Sequence, residues 1–196
     1  LSKLKKKINL ETFDYQKKLN KKNIYFIDVP LNLKKLSLIK KNSYITKSFE
    51  IGLNLLKRIN SVGLINGPIS KTNFLRGRYN GMTEFFAAKT RSSNEVMLIF
   101  NKQLSVSPIT THIPVNNVSK KIKKKIVVEK IKSINNFYKK FLGFEPKIAV
   151  TGLNPHCETF VGKDIEKIEI LPAIKELRKK NIRVLGPFSA DTIFLK

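Results

Sequence analysis

Short apolar runs alternate along the chain with stretches in which apolar residues recur every third or fourth position. "NIYFIDV" (23–29) has the length and the aromatic and β-branched content of a strand. "KSFEIGLNLLKRIN" (47–60) reads as a helix, because Phe49, Leu53, Leu56 and Ile59 fall on one face. "VGLIN" (62–66) reads as a buried strand ending in the turn-forming "GPIS". "TEFFAAKT" (83–90) opens a helix after Gly81, and "EVMLIF" (95–100) and "LSVSPITT" (104–111) read as two neighbouring strands.

The segment 116–143 predicts the longest helix, with Val118, Ile122, Ile126, Ile134, Phe137 and Phe141 as its apolar stripe and Gly143 as its stop. The strand "KIAVTG", a helix in "EILPAIKELRKKN" and the strand "IRVLGPF" follow. Repeated strand–helix–strand units predict an α/β fold, a largely parallel sheet with flanking helices. In such sheets ligands gather beyond the carboxyl ends of the strands. Three loops take that place: "NGPISK", "THIPV" and "GLNPHC".

Composition narrows the function classes. Of 196 residues 41% are hydrophobic, enough for a core, and runs such as "VMLIF" are too short to span a bilayer. A single cysteine, Cys157, excludes an internal disulfide framework and suits a reducing compartment. No apolar segment follows the basic start, so the reading is a cytoplasmic protein with no membrane partner. The net charge of +25 invites a nucleic-acid surface, yet only six of the 39 basic residues are arginine. Bidentate recognition of phosphates and bases favours arginine, and the Lys-Asn-Ile bias matches drift in an AT-rich genome. The expectation is therefore no specific nucleic-acid partner, with a general attraction for phosphorylated metabolites.

The only two histidines, His112 and His156, lie in two of the three loops at strand ends. Forty-four residues apart, they form no local metal motif and meet only through tertiary folding. They either share a transition-metal ion with further ligands or are two unrelated polar loop residues. No Gly-x-Gly-x-x-Gly fingerprint or phosphate-binding P-loop is present. Cys157, adjacent to His156, makes a poor nucleophile–base pair and reads as an inert thiol.

"GPISK" (67–71), "GMTEFFA" (81–87), "TTHIP" (110–114), "TGLNPHC" (151–157), "LPAI" (171–174) and "GPFSADTIF" (186–194) occur in that order. Together they resemble the central part of the 4-hydroxythreonine-4-phosphate dehydrogenases, enzymes of pyridoxal phosphate synthesis. The resemblance covers about 62–196 well and the first sixty residues loosely. It implies an isocitrate/isopropylmalate-dehydrogenase-like fold and the central portion of a two-domain enzyme. Residues 1–90 would then be a partial first lobe and 91–196 a second lobe carrying both histidine loops.

The same resemblance implies oxidation of 4-phosphooxy-L-threonine by NAD or NADP, with decarboxylation of the ketone product. It also implies a divalent metal (zinc, magnesium or cobalt) held by three histidines at the interface of a homodimer. His112 and His156 fall on two of the metal ligands, Thr83 on a substrate-contacting threonine, and Asp191 on an aspartate near the metal. There Asp191 would orient a ligand or accept a proton, the alternative being a cap or turn residue. Lys71 falls on a basic or polar position near the cleft.

Met82 stands where the family has histidine, and "CETFVG" stands where it has Ala-Gly-Glu-Gly-Gly. The family's glycine-rich start and third histidine have no counterpart in the sequence, so an incomplete member is expected. Met82 also raises an alternative, a paralogue oxidising a four-carbon threonate or erythronate phosphate. A non-catalytic basic binding protein is the alternative from another class.

Overall fold

The structure, a computed structural model, describes residues 9–20, 23–31, 37–59, 63–157 and 162–195. The chain divides into two compact units, Leu1–Phe74 and Leu75–Lys196.

In the first unit β1 (Asn9–Thr12) pairs in parallel with β2 (Asn23–Phe26). Helix α1 (Leu38–Arg58) begins earlier than the apolar pattern indicates, because the Ser37 hydroxyl accepts from the Lys40 amide and caps it. It buries Phe49, whose ring lies 5.8 Å from that of Phe74. Residues 63–70 are irregular rather than the expected strand, with Ile65 at 101% exposure; Val62 lies outside the described residues. The segment lies on α1 instead, where a Cβ at Gly52 would meet Leu64 Cδ1 at 2.5 Å. An apolar tetrapeptide carries no period that separates a strand from such a packed loop. Helix α2 (Lys71–Leu75) follows.

The second unit opens with α3 (Met82–Thr90), capped by Gly81 as expected. The strands expected over 95–100 and 104–111 are neighbours but shrink to one antiparallel bridge, Ile99 to Val106. The expected long helix is present in pieces: α4 (Val118–Lys121), α5 (Lys124–Phe137) and a wider π turn over Tyr138–Leu142. The chain stops at Gly143, which takes the left-handed conformation at φ 76°. The break comes at Ile122, whose extended ψ of 106° resets the helical phase.

The buried face of α5 is therefore Val127, Val128, Ile131 and Asn135, not the stripe expected. Phe137 and Phe141 are 40% and 49% exposed. Across the break, Glu169 supplies the cap of α5, accepting from the Lys124 amide at 2.8 Å. That bond, with Lys123 alongside, holds the Glu169 carboxyl below its ordinary range.

Strand β3 (Ile148–Thr151) pairs in parallel with β4 (Val184–Phe188), and α6 (Leu171–Lys179) connects them after a π turn over Glu166–Ile170. The core lies between this pair and helices α5 and α6, with Ala173, Ile174 and Leu177 fully buried. The described strands thus form two two-stranded parallel sheets rather than one larger sheet. The ladder of β3 and β4 shifts register between Ala149 and Thr151, opposite Gly186–Pro187. Proline has no amide to give the ladder, and a Cβ at Gly186 (φ 121°) would collide with the Val150 carbonyl.

Two outcomes check this account. Ile131→Ala should cost about 2–5 kcal/mol in urea unfolding and Phe141→Ala less than about 1, reversing the order the sequence stripe gives. Glu176 on α6, hydrogen-bonded by Lys180 and then Lys124, has its carboxyl held at about 2. Its folded value lies below its unfolded one, so its contribution is complete above the ordinary carboxylate range and is lost as pH falls toward 2. Glu176→Gln should therefore flatten the loss of stability between about pH 4 and 2.

Candidate functional site

Beyond the carboxyl ends of β3 and β4 the two chains stay stitched together. The Gly152 amide donates to Phe188 O at 2.9 Å, and the Ala190 amide donates to Pro155 O at 2.7 Å. The Ser189 hydroxyl lies 2.8 Å from Pro155 O and 2.7 Å from Asp191 Oδ1, sharing its one proton between two acceptors. Residues 154–157 form a turn, in which Asn154 Oδ1 accepts from the His156 amide at 3.1 Å and Asn154 O from the Cys157 amide at 2.9 Å.

This frame sets His156 against Asp191, with Nδ1 3.1 Å from Oδ2. Both residues are exposed. The Ser189 hydroxyl first, and the imidazole second, hold the Asp191 carboxyl below its ordinary range. A carboxylate on Nδ1 fixes the ring and leaves Nε2 as the free nitrogen, the arrangement used to orient ligating histidines. Asp191 is thus paired with His156 as well as placed in a turn.

Sequence reasoning gave no role to Glu166, which supports this loop from below. It is 4% exposed, and its Oε1 accepts from the Asn154 amide at 2.7 Å. The signal was an acidic residue directly after Ile165 in "DIEKIEI", at a position the helix turns inward. Cys157 is half-buried, and burial pushes its thiol up, as fits an inert group.

His112 occupies the other loop, exposed and in left-handed backbone at φ 52°. The preceding Thr111 hydroxyl donates to Glu84 Oε1 at 3.0 Å, which ties the loop to α3. Thr83 sits half-buried in the first turn of α3. The stems of the two histidine loops line one cleft of about 200 Å3, with Pro108, Ile109 and Thr110 facing Thr151, Gly152 and Leu153. Lys71 belongs to the first unit, exposed at the start of α2. Among the described residues no three His, Cys, Asp or Glu side chains converge to hold a metal ion. Taken alone, the described residues do not fit a resident divalent ion. Among them, no helix is long and apolar enough to cross a membrane.

The architecture defines a class first: an α/β protein of parallel strands and flanking helices. A solved structure of 4-hydroxythreonine-4-phosphate dehydrogenase from Klebsiella pneumoniae superposes with a TM-score of 0.77 at 25% identity, over 96% of this chain and 61% of that one. A sequence profile of the pyridoxal phosphate biosynthetic protein PdxA matches residues 2–196, and the chain belongs to that family. The 4-hydroxythreonine-4-phosphate dehydrogenase of Aquifex aeolicus is 29% identical over 96% of this chain and 61% of its own length. That of a Sulfurihydrogenibium species is 38% identical over 67% of this chain and 42% of its own. The chain therefore spans less than two thirds of the curated relatives it matches.

Glu166→Ala should remove the Glu166 carboxylate that the Asn154 amide donates to and cost about 1–3 kcal/mol in urea unfolding. Glu166→Gln keeps a carbonyl oxygen and should cost less.

Proposed function

We propose that the protein acts as a 4-hydroxythreonine-4-phosphate dehydrogenase, oxidising 4-phosphooxy-L-threonine with NAD or NADP in the synthesis of pyridoxal phosphate. Family membership across the chain supports this reading, and the observation that carries it is the pair His156 and Asp191, braced beside a cleft between two motif loops. The fold is read as isocitrate/isopropylmalate-dehydrogenase-like, the working form as a cytoplasmic homodimer with the site at its interface.

The chemistry assigns simple tasks. The nicotinamide accepts the hydride when bound. The hydroxyl being oxidised must lose its proton, and the resulting ketone, β to a carboxylate, loses carbon dioxide. Asp191 either holds His156 so that Nε2 faces a ligand or itself takes the proton. Thr83 at the start of α3 contacts substrate, where the unfilled amides of a helix N-terminus favour an anion. Lys71 keeps only the weaker role that the resemblance implies, and the net charge of +25 draws in a phosphorylated substrate.

His112 and His156 are read as two ligands of a divalent ion (zinc, magnesium or cobalt) completed from beyond the described residues. Such an ion would act as a Lewis acid toward the substrate oxygens.

A second reading rests on Met82, which cannot hydrogen-bond substrate as the family's histidine does. It is oxidation of a four-carbon threonate or erythronate phosphate. The test is reduced-nicotinamide formation by the protein expressed from its gene, with each substrate and either cofactor. Turnover of 4-phosphooxy-threonine is expected, falling about 10–100-fold in Asp191→Asn. Preference for the threonate phosphate would establish the second reading. No turnover, with nucleic-acid binding that survives moderate salt, would favour a basic binding protein.

A further inference from the structure

Glu84 carries a polar atom that its surroundings leave unanswered. While Oε1 accepts from Thr111, Oε2 is shut off from solvent and has no hydrogen-bond partner. The large majority of buried polar side-chain atoms in native proteins are paired, so this one marks a contact still to be made. Being enclosed, Oε2 is not open to a substrate arriving from solvent. Its donor must come from a neighbouring group.

The group that shares its space is His112. A Cβ built at Gly81 would lie 2.8 Å from Glu84 Oε2, 3.1 Å from His112 Nε2 and 3.2 Å from His112 Cδ2. The carboxylate oxygen and one edge of the imidazole thus crowd the same face of Gly81, where only a residue without a side chain fits. Thr111, covalently next to His112, is already bound to the other oxygen of the same carboxylate. The left-handed backbone of His112 (φ 52°) is one that an L-residue holds when its surroundings fix it.

We propose that Glu84 is the positioning residue of His112, its Oε2 accepting the Nε2–H of the neutral imidazole. The bond forms by rotation of the two terminal torsions, which are broad for both side chains. It fixes the tautomer and leaves Nδ1, on the opposite edge of the ring, as the nitrogen His112 offers to a ligand. This is the reverse of His156, whose Nδ1 faces Asp191. The carboxylate beside each histidine would then leave a different ring nitrogen free. The proposal does not depend on the dehydrogenase reading.

The competing role for Glu84 is local. Gly81 is the N-cap of α3 and Glu84 stands three residues on, the spacing of a capping box, in which the glutamate reaches back to the amide of the cap residue. A Glu84 that only caps α3 would stabilise the helix and leave the imidazole of His112 indifferent.

Nuclear magnetic resonance separates the two roles, because the chain has only two histidines and His156→Gln assigns both. Spectra of the histidine-15N-labelled protein are recorded above the ordinary imidazole range. An exposed imidazole N–H exchanges with water too fast to be seen, whereas one bound to a buried carboxylate persists. The expected result is an observable Nε2–H signal from His112, lost in Glu84→Ala and in Glu84→Leu, which fills the space with apolar atoms. A wild-type His112 with no visible N–H, or protonated on Nδ1, overturns the proposal even if neither variant folds. So does an Nε2–H signal that persists in a folded variant.

Discussion

The second unit depends on how closely β3 and β4 approach where their ladder shifts. Val150 O occupies the space a side chain at position 186 would need, and Pro187 withholds an amide from the ladder. That irregularity sets how far each chain runs before it turns. The backbone bonds from Gly152 to Phe188 and from Ala190 to Pro155 carry the pairing past the last strand residues. His156 and Asp191 meet because their loops leave the same edge in step, held by backbone before any side chain contributes.

Carboxylates then do for the loops what the ladder does for the strands. Glu166 takes the Asn154 amide under one histidine loop, and Glu84 takes the Thr111 hydroxyl beside the other. Glu169 closes the amino end of α5. In a chain with 14 acidic residues against 39 basic ones, these three each take a backbone or hydroxyl donor of the fold. The lysines cover the outside, where a charge gains little from any one partner. The excess positive charge therefore says more about what is drawn to the surface than about what holds the structure together.

Much of this was legible. The elements around β3, α6 and β4 carry strong periods and clear stops, and Gly81 and Gly143 end or begin helices where their freedom from a side chain is used. Both histidines could be placed in loops, His156 beyond the end of β3 and His112 after a segment that makes only one bridge, and the ordered motifs pointed to the family that the profile match establishes. Where the reading failed, the reason was phase or length. One residue in extended conformation at Ile122 turned the following helix so that Ile131 rather than Phe141 faces inward. Residues 63–66 are too short to display a period, and what decided their form was the open face of α1 at Gly52.

The sequence by itself determined the α/β class, the helix boundaries at Gly81 and Gly143, the family and which loops carry the imidazoles. All of these follow from local pattern and residue type, which the linear order records. Only the tertiary structure decided that Asp191 faces Nδ1 of His156, that Glu166 is the buried brace under that loop, and that Glu84 and His112 crowd one face of Gly81. Those relations join residues 3 to 35 positions apart across separate turns. Their geometry is set by a strand register and a helix phase, and a single residue shifts either one.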